Sequence, residues 1–246
     1  MLNRISSLLI IIILILCQQN IFAETYAVCV GVNYNGSKHL SKLNKAENDA
    51  KSMSEFFKKG GARVVTITGH YATKSEILKR IKSHYGKASQ SDRIILFFSG
   101  HGFKGGLCPY DMRNIESGIS YNEIIKLMQK SKAKTKMIFA DACNSGTFRS
   151  DKTYSSTNRN TNVLLFLSSR GSESSIESRF LANGYFTKYL LRGLRGGADA
   201  NRDRRVTAYE LYDFVSKNVA TSTKNRQHPV MWGRFDDDMV MVDYAL

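Results

Sequence analysis

Residues Met137–Gly146 have the sequence MIFADACNSG. This stretch starts as an apolar run of strand length and ends in a carboxylate (Asp141), a cysteine (Cys143) and a glycine turn. Ligands and chemistry in open α/β sheets gather outside the carboxyl ends of the strands, so such a strand would present Cys143 where a nucleophile can act. A second stretch, Arg93–Gly102 (RIILFFSGHG), delivers His101 in the same way. The two stretches together predict one site at a shared sheet edge.

Apolar runs of strand length alternate along the chain with segments of helical periodicity. Such runs are typical of parallel strands covered by helices on both faces. Strands are predicted at 25–32, 63–68, 94–98, 136–140 and 163–167, with a closing strand at 239–242. Helices are predicted at 46–59, 73–85, 120–130, 185–194 and 207–219. This order predicts an α/β fold built on one doubly wound, mostly parallel sheet.

The first 23 residues differ from the rest of the chain. Arg4 is followed by nine unbroken aliphatic residues, Leu8–Leu16, and later by the small residue Ala23. A short basic segment, an apolar core too short to span a bilayer and a small residue at the end predict a secretory signal peptide over 1–23. The remaining 24–246 is long enough for one substantial domain. A lipoprotein signal with acylated Cys17 is the alternative, and only then would the protein be tethered to a membrane.

The chain is basic, with 36 Lys and Arg against 21 Asp and Glu, a net charge of +15. Such a balance is compatible with an anionic partner. The lysines are dispersed rather than gathered in a block with interleaved aromatics, which favours an ordinary solvated surface. No nucleic-acid partner is therefore expected, and binding of an anionic polymer stays an alternative.

Cysteine counting points to a free thiol. Without the leader, Cys29, Cys108 and Cys143 remain, and an exported chain with an odd number leaves at least one thiol unpaired. Cys29 lies in an apolar run and is interpreted as an inert core residue. Cys143 follows an acidic residue in a Gly/Ser/Asn turn and is the thiol expected to react. No Cys-x-x-Cys pair is present, which argues against a zinc ribbon or a dithiol site.

His101 is the natural partner for that thiol. It lies between two glycines directly after an apolar strand, and histidine is the usual base that activates a cysteine at neutral pH. The alternative is that 100–102 is merely a turn. The glycines at 100, 102 and 105 also match a dinucleotide fingerprint, but that motif must open a helix. Here Pro109 follows within a few residues, so nucleotide binding is rejected.

Two carboxylates are expected near the same edge. Asp141 ends a strand two residues before the thiol, and Asp49 lies in the first turn of the first predicted helix. Two carboxylates in a partly dry pocket favour a cation, and a guanidinium binds a carboxylate in a bidentate manner. For Asp49 alone, stabilisation of the helix dipole is an equally good explanation.

A third acidic segment resembles a calcium loop. Residues 199–210 have the oxygen-ligand spacing of an EF-hand, but Arg204 occupies the sixth position, which requires glycine. Thr207 and Glu210 also form a capping box, which is a sufficient local reason for both residues. No metal site is predicted here.

Ser-Gly-His-Gly at 99–102 and Asp-Ala-Cys-Asn-Ser-Gly at 141–146 resemble the motifs of the caspase-like cysteine peptidases, closest to the bacterial metacaspase and paracaspase-like branch. Similarity also runs through 48–50, 168–171 and 184–187. The resemblance covers essentially all of the mature chain. It implies a three-layer α/β/α sandwich around a central, mostly parallel six-stranded sheet.

The resemblance also implies roles for individual residues. His101 would be the general base and Cys143 the nucleophile in peptide-bond hydrolysis. The backbone N–H groups of Gly102 and Cys143 would form the oxyanion hole. Asp49, Ser99 and Asp141 match the acidic S1 pocket of metacaspases. Cleavage after Arg or Lys is therefore expected, not after Asp as in true caspases, so the expected partners are proteins or peptides with Arg or Lys before the scissile bond.

Two departures from the family pattern matter. The segment 103–110 is short and has no acidic residue, so no cofactor is expected and dependence on calcium is doubted. The segment 148–162 is predicted to be an exposed loop where relatives are often cut. Arg149, Lys152 and Arg159 lie in it and are candidate self-cleavage sites.

The sequence thus predicts an exported cysteine endopeptidase, secreted or located in the periplasm or cell envelope. The alternatives are an inactive caspase-like binding module and a basic protein that binds an anionic polymer.

Overall fold

The computed structural model describes residues 23–142, 163–169, 181–233, 236 and 238–244. Nearly all of the predicted signal peptide, the thiol of Cys143 and the three candidate self-cleavage residues in 148–162 lie outside these ranges. No helix in the described ranges is long and apolar enough to cross a membrane.

The centre of the fold is a six-stranded sheet of mixed but mostly parallel strands. Its strands are β1 (Thr25–Gly31), β2 (Arg63–Thr68), β3 (Arg93–Gly100), β7 (Thr135–Ala142), β8 (Val163–Leu167) and β10 (Val230–Trp232). Their order is β10-β8-β7-β3-β1-β2, and only β10 runs antiparallel to its neighbour. The predicted α/β class and six-stranded sheet are confirmed.

Helices cover both faces of this sheet. They are α1 (Ala46–Lys59), α2 (Lys74–Tyr85), α3 (Tyr121–Gln129), α4 (Tyr185–Arg192) and α5 (Ala208–Ser222). Side chains of β1 alternate between two separate cores, with Val28 and Val30 on one side and Cys29 on the other. The first core also contains residues of α2 and α3, and the second contains residues of α1, α4 and α5. These contacts make a three-layer α/β/α sandwich.

The sixth strand is not the one expected from the sequence. β10 has only three residues between Pro229 and Gly233, too few to show a strand pattern. The predicted closing strand does form, as β11 (Val240–Asp243), but it pairs with β9 (Arg205–Thr207) in a separate two-stranded sheet. Which strand closes a sheet depends on long-range pairing, and a local apolar run does not encode it.

A small antiparallel sheet follows β3. It consists of β4 (Gly102–Phe103), β5 (Gly106–Leu107) and β6 (Ile119–Ser120). No strand was predicted here from the sequence. The hairpin matters for the site because it starts one residue after His101.

Candidate active site

Strand register places two of the predicted site residues side by side. Ser99 of β3 is paired with Asp141 of β7, and Gly31 of β1 is paired with Ser99 from the other side. All three strands are parallel, so this row lies at their carboxyl ends. His101 follows Ser99 by two positions, and Cys143 follows Asp141 by two positions in the sequence.

The ring of His101 has a defined tautomer. Its Nε2 lies 2.8 Å from the main-chain oxygen of Ser41 and 3.1 Å from the Ser41 hydroxyl oxygen. A carbonyl oxygen can only accept a hydrogen bond, so Nε2 carries the proton of the neutral ring. The lone pair is then on Nδ1, which is the nitrogen that can take a proton from a thiol. Ser41 was not predicted from the sequence, because its shorter contact with the ring uses a main-chain carbonyl.

Tyr34 holds the main chain of His101. Its hydroxyl accepts a hydrogen bond from the His101 N–H at 2.9 Å and donates to the carbonyl oxygen of Cys108 at 2.6 Å. The N–H of Cys108 in turn donates to the oxygen of His101 at 3.0 Å. Sequence analysis assigned no role to Tyr34 or Cys108, and both side chains are buried. Cys29 is also buried, and burial raises the pKa of its thiol, in keeping with an inert core residue.

Asp49 lies in a dry environment built by three donors. The residue is 1% exposed. The Ser99 hydroxyl donates to Asp49 Oδ2 at 2.9 Å. The Asn183 amide and the Gly184 N–H donate to Asp49 Oδ1 at 2.8 and 3.1 Å. The structure thus joins two predicted site residues, Asp49 and Ser99, in one hydrogen bond.

Asp141 binds the start of α4. The N–H and the hydroxyl of Thr187 donate to Asp141 Oδ2 at 3.2 and 2.8 Å. Since α4 begins after Gly184, which has no capping side chain, the two aspartates satisfy free N–H groups at this helix end. They therefore have a structural role as helix caps beside any role in recognition.

Gly184 packs tightly against the two carboxylates. A Cβ at this position would lie 2.8 Å from Asp141 Oδ2 and 3.4 Å from Asp49 Oδ2. Its φ of −57° is one that any residue can adopt. What glycine provides here is a close approach of the start of α4 to both carboxylates, because a side chain would clash with Asp141.

The electrostatics of this acidic pair favour a positive ligand. Burial raises the pKa of Asp49 well above its ordinary value, and the nearby Asp141 raises it further. The hydrogen bonds from Asn183, Ser99 and Gly184 oppose these effects without cancelling them. A guanidinium or ammonium group beside the carboxylates would relieve their repulsion and balance their negative charge.

The end of β7 is fixed by a buried serine. The hydroxyl of Ser168 accepts from the Ala142 N–H and donates to the Ala142 oxygen, both at 3.1 Å. The Ser168 oxygen accepts from the Gln227 amide at 2.9 Å. Ser168 and Gln227 are fully buried, and Gln227 was not among the predicted site residues. These bonds hold the main chain one residue before Cys143.

The predicted oxyanion hole is only partly described. Gly102 follows His101 directly and begins β4, in which it pairs with Leu107. The other predicted donor, the N–H of Cys143, lies outside the described residues.

The carboxylates of residues 199–210, the segment that resembles a calcium loop, accept hydrogen bonds from within the segment. One carboxylate oxygen of Glu210 accepts from the Ala200 N–H at 3.2 Å, and the other accepts from the Thr207 N–H at 3.0 Å. Asp199 accepts from the main chain of Asp203 and Arg204. An EF-hand needs a bidentate Glu at its last position, whereas Glu210 here caps α5, and this capping role accounts for Glu210 without a metal.

The fold, with His101 directly after the end of β3, places the protein in the class of caspase-like α/β/α proteins. The profile of the Caspase domain family matches residues 24–240. The chain therefore belongs to the caspase-domain family, whose members are cysteine peptidases and their relatives.

Comparison with solved structures gives the same fold. The protein GSU0716 from Geobacter sulfurreducens superposes with a TM-score of 0.67 at 20% identity, over 90% of this chain and 98% of that chain. At this identity the likeness shows the shared fold. No functionally curated protein matched the sequence.

Proposed function

We propose that the protein is an exported cysteine endopeptidase that hydrolyses peptide bonds after Arg or Lys. The family supports the peptidase class. One observation supports the specificity: Asp49 and Asp141 are both buried and lie against the same glycine, Gly184, at the sheet edge that also bears His101. The expected substrates are therefore peptides that place a cation between these carboxylates.

The chemistry uses a thiol and an imidazole. Nδ1 of His101 takes the proton of the Cys143 thiol, and the Ser41 carbonyl accepts the Nε2–H of the imidazolium. The thiolate attacks the scissile carbonyl, and N–H groups of Gly102 and Cys143 stabilise the oxyanion. The imidazolium then protonates the leaving amine. Water, deprotonated by His101, hydrolyses the thioester and restores the thiol.

Three fluorogenic peptides test this proposal. They are identical except for Arg, Lys or Asp before the scissile bond, and they are assayed under reducing conditions. Turnover of the Arg and Lys peptides alone supports the acidic pocket, and turnover of the Asp peptide contradicts it. Turnover that survives in Cys143→Ala contradicts the nucleophile, whereas no turnover of any peptide favours a non-catalytic relative.

Catalysis is proposed to need no calcium. The same Arg peptide is assayed in a calcium chelator and in excess calcium. Equal rates support the proposal, and a rate that falls by tenfold or more in the chelator contradicts it.

Export and processing are separate proposals. The chain is secreted or held in the periplasm or cell envelope after removal of 1–23, and cleavage at Arg149, Lys152 or Arg159 accompanies activity. Mass spectrometry of protein from the producing cells identifies the amino terminus and any lipid on Cys17. Internal cleavage that also occurs in Cys143→Ala would show that another protease performs it.

A further inference from the structure

Tyr34 contacts both the main chain and the ring of His101. The two rings are stacked, with centroids 4.8 Å apart and planes inclined by 27°. The Tyr34 hydroxyl bridges the His101 N–H and the Cys108 carbonyl, at 2.9 and 2.6 Å. One side chain thus limits both the position of the histidine main chain and the tilt of its imidazole.

The backbone at Tyr34 is unfavourable for such a residue. Its φ is +57°, in the left-handed region that costs energy for any side chain larger than that of glycine. Outliers of this kind concentrate at functional sites, where the surroundings hold them in place. The surroundings here are close: a Cβ at Gly100 would lie 2.8 Å from the Tyr34 hydroxyl oxygen.

The two ring nitrogens of His101 have different surroundings. Ser41 occupies Nε2, and the ring of Tyr34 covers one face of the imidazole. Within the described ranges, Nδ1 has no hydrogen-bond partner. The ring can therefore turn little without losing either the Ser41 bond or the stacking on Tyr34.

We infer that Tyr34 is a positioning residue for the catalytic base: its hydroxyl fixes the His101 main chain and its ring fixes the imidazole plane, so that Nδ1 is kept available for the thiol. The inference rests on the proposed function, because it takes His101 as the base. A purely structural role for Tyr34, as one more buried ring of the core, is the competing explanation. The two explanations differ in whether the reactivity of Cys143 depends on the hydroxyl.

Alkylation of Cys143 by iodoacetamide measures that reactivity without any peptide substrate. Only the thiolate reacts, so the pH dependence of the rate reports how well His101 stabilises it. The modified Cys143 peptide is quantified by mass spectrometry. Wild type, Tyr34→Phe and His101→Ala are compared, and Tyr85→Phe is the matched control. Tyr85 is also buried, and its hydroxyl donates to a main-chain oxygen, that of Ile95, at 2.6 Å.

Tyr34→Phe is expected to move the midpoint of the alkylation profile upward by about half a pH unit or more, toward that of His101→Ala. Its kcat on the Arg peptide should fall about tenfold, a typical size for a disturbed general base, with KM changed by less than about twofold. Tyr85→Phe should lower Tm to a similar extent and leave the profile unchanged.

Two outcomes of this comparison would overturn the inference. A Tyr34→Phe profile that superimposes on wild type, with a loss of Tm like that of Tyr85→Phe, makes the hydroxyl structural only. Identical profiles for wild type and His101→Ala refute both the base and its positioning. If no Arg or Lys peptide is cleaved but the profiles separate as expected, the specificity proposal fails and the positioning role stands. Should Tyr34→Phe not fold, 3-fluorotyrosine at position 34 keeps the ring and hydroxyl while weakening the acceptor, and a smaller shift in the same direction is required.

Discussion

Asp141 combines two roles that substitutions can separate. Its Oδ2 accepts two hydrogen bonds from Thr187, and its charge raises the pKa of the neighbouring Asp49. Asn keeps an acceptor for Thr187 but removes the charge, whereas Ala removes both. The charge therefore belongs to recognition and the acceptor to stability.

We predict that Asp141→Asn lowers kcat/KM for the Arg peptide by about 100-fold, since a charge-assisted hydrogen bond contributes roughly 2–3 kcal/mol. Tm should change little. Asp141→Ala should show the same loss of activity. It should also lose about 1 kcal/mol of stability, because the acceptor that caps α4 is removed. Steady-state kinetics and thermal unfolding measure the two effects. An unchanged rate with the Arg peptide, or an equal loss of Cys143 alkylation, would refute a role confined to recognition.

Gly184 gives a second test of the same pocket. A methyl group here would lie 2.8 Å from Asp141 Oδ2, which is too close, so the carboxylate proposed to bind the substrate cation would have to shift. Gly184→Ala should raise KM for the Arg peptide by about tenfold, or 1.4 kcal/mol, with little change in kcat. Gly60→Ala is the matched control, because its Cβ would meet no atom closer than 3.5 Å. Equal KM values for the two variants would place the substrate elsewhere.

Residue placement was predictable where strand ends dictate it. Ser99 precedes His101 by two positions, and Asp141 precedes Cys143 by two positions. Each lies near the end of its strand, the two strands are neighbours, and their register pairs Ser99 with Asp141. No sequence pattern predicted the roles of Tyr34, Ser41 and Gln227. Their contacts use main-chain atoms or join segments far apart in sequence, and no local pattern of residue types encodes either.

At the level of elements, long apolar runs and capping boxes were informative. The bounds of α1 and β2 match the prediction, and the capping box predicted for Thr207 and Glu210 forms at the start of α5. Short elements were not predictable: β4 and β5 have two residues each, and their formation depends on pairing. The end of α4 differs for a similar reason, since the chain turns at Gly193–Gly197, where Gly196 has a φ of +96°.

The junction between β7 and β8 allows a prediction at this scale. Ser168→Ala would leave the buried Ala142 N–H without the serine oxygen. We expect a loss of roughly 1–3 kcal/mol in the free energy of unfolding, measured by urea denaturation. Ser216→Ala is the control, because in the described part of the chain its buried hydroxyl has no hydrogen-bond partner, and it should be neutral. Equal effects of the two substitutions would show that the Ser168 bridge contributes nothing.

The whole molecule keeps a buried carboxylate pair despite its cost. Burial and Asp141 raise the pKa of Asp49, so the folded protein binds a proton there at pH values where the unfolded chain has lost it. Stability from this group is fully present below the unfolded value of 3.8 and is lost as the pH rises through the folded pKa. Asp49 therefore favours the fold least above its folded pKa, where the carboxylate is charged and can bind a cationic substrate.

Asp49→Asn tests this linkage, because it removes the titration and keeps a side chain of the same shape. We predict that the variant and wild type unfold at nearly the same temperature near pH 4. Toward pH 8 the variant should become more stable by about 3 °C, roughly 1 kcal/mol for a chain of this size. Burial lowers the pKa of His84, which adds its own slope near pH 6, but this contribution is common to both proteins and cancels in the difference. The measurement is Tm by calorimetry at each pH. A difference that shrinks as the pH rises would mean that the donors Ser99, Asn183 and Gly184 outweigh burial, and that the carboxylate is already charged and satisfied before any substrate arrives.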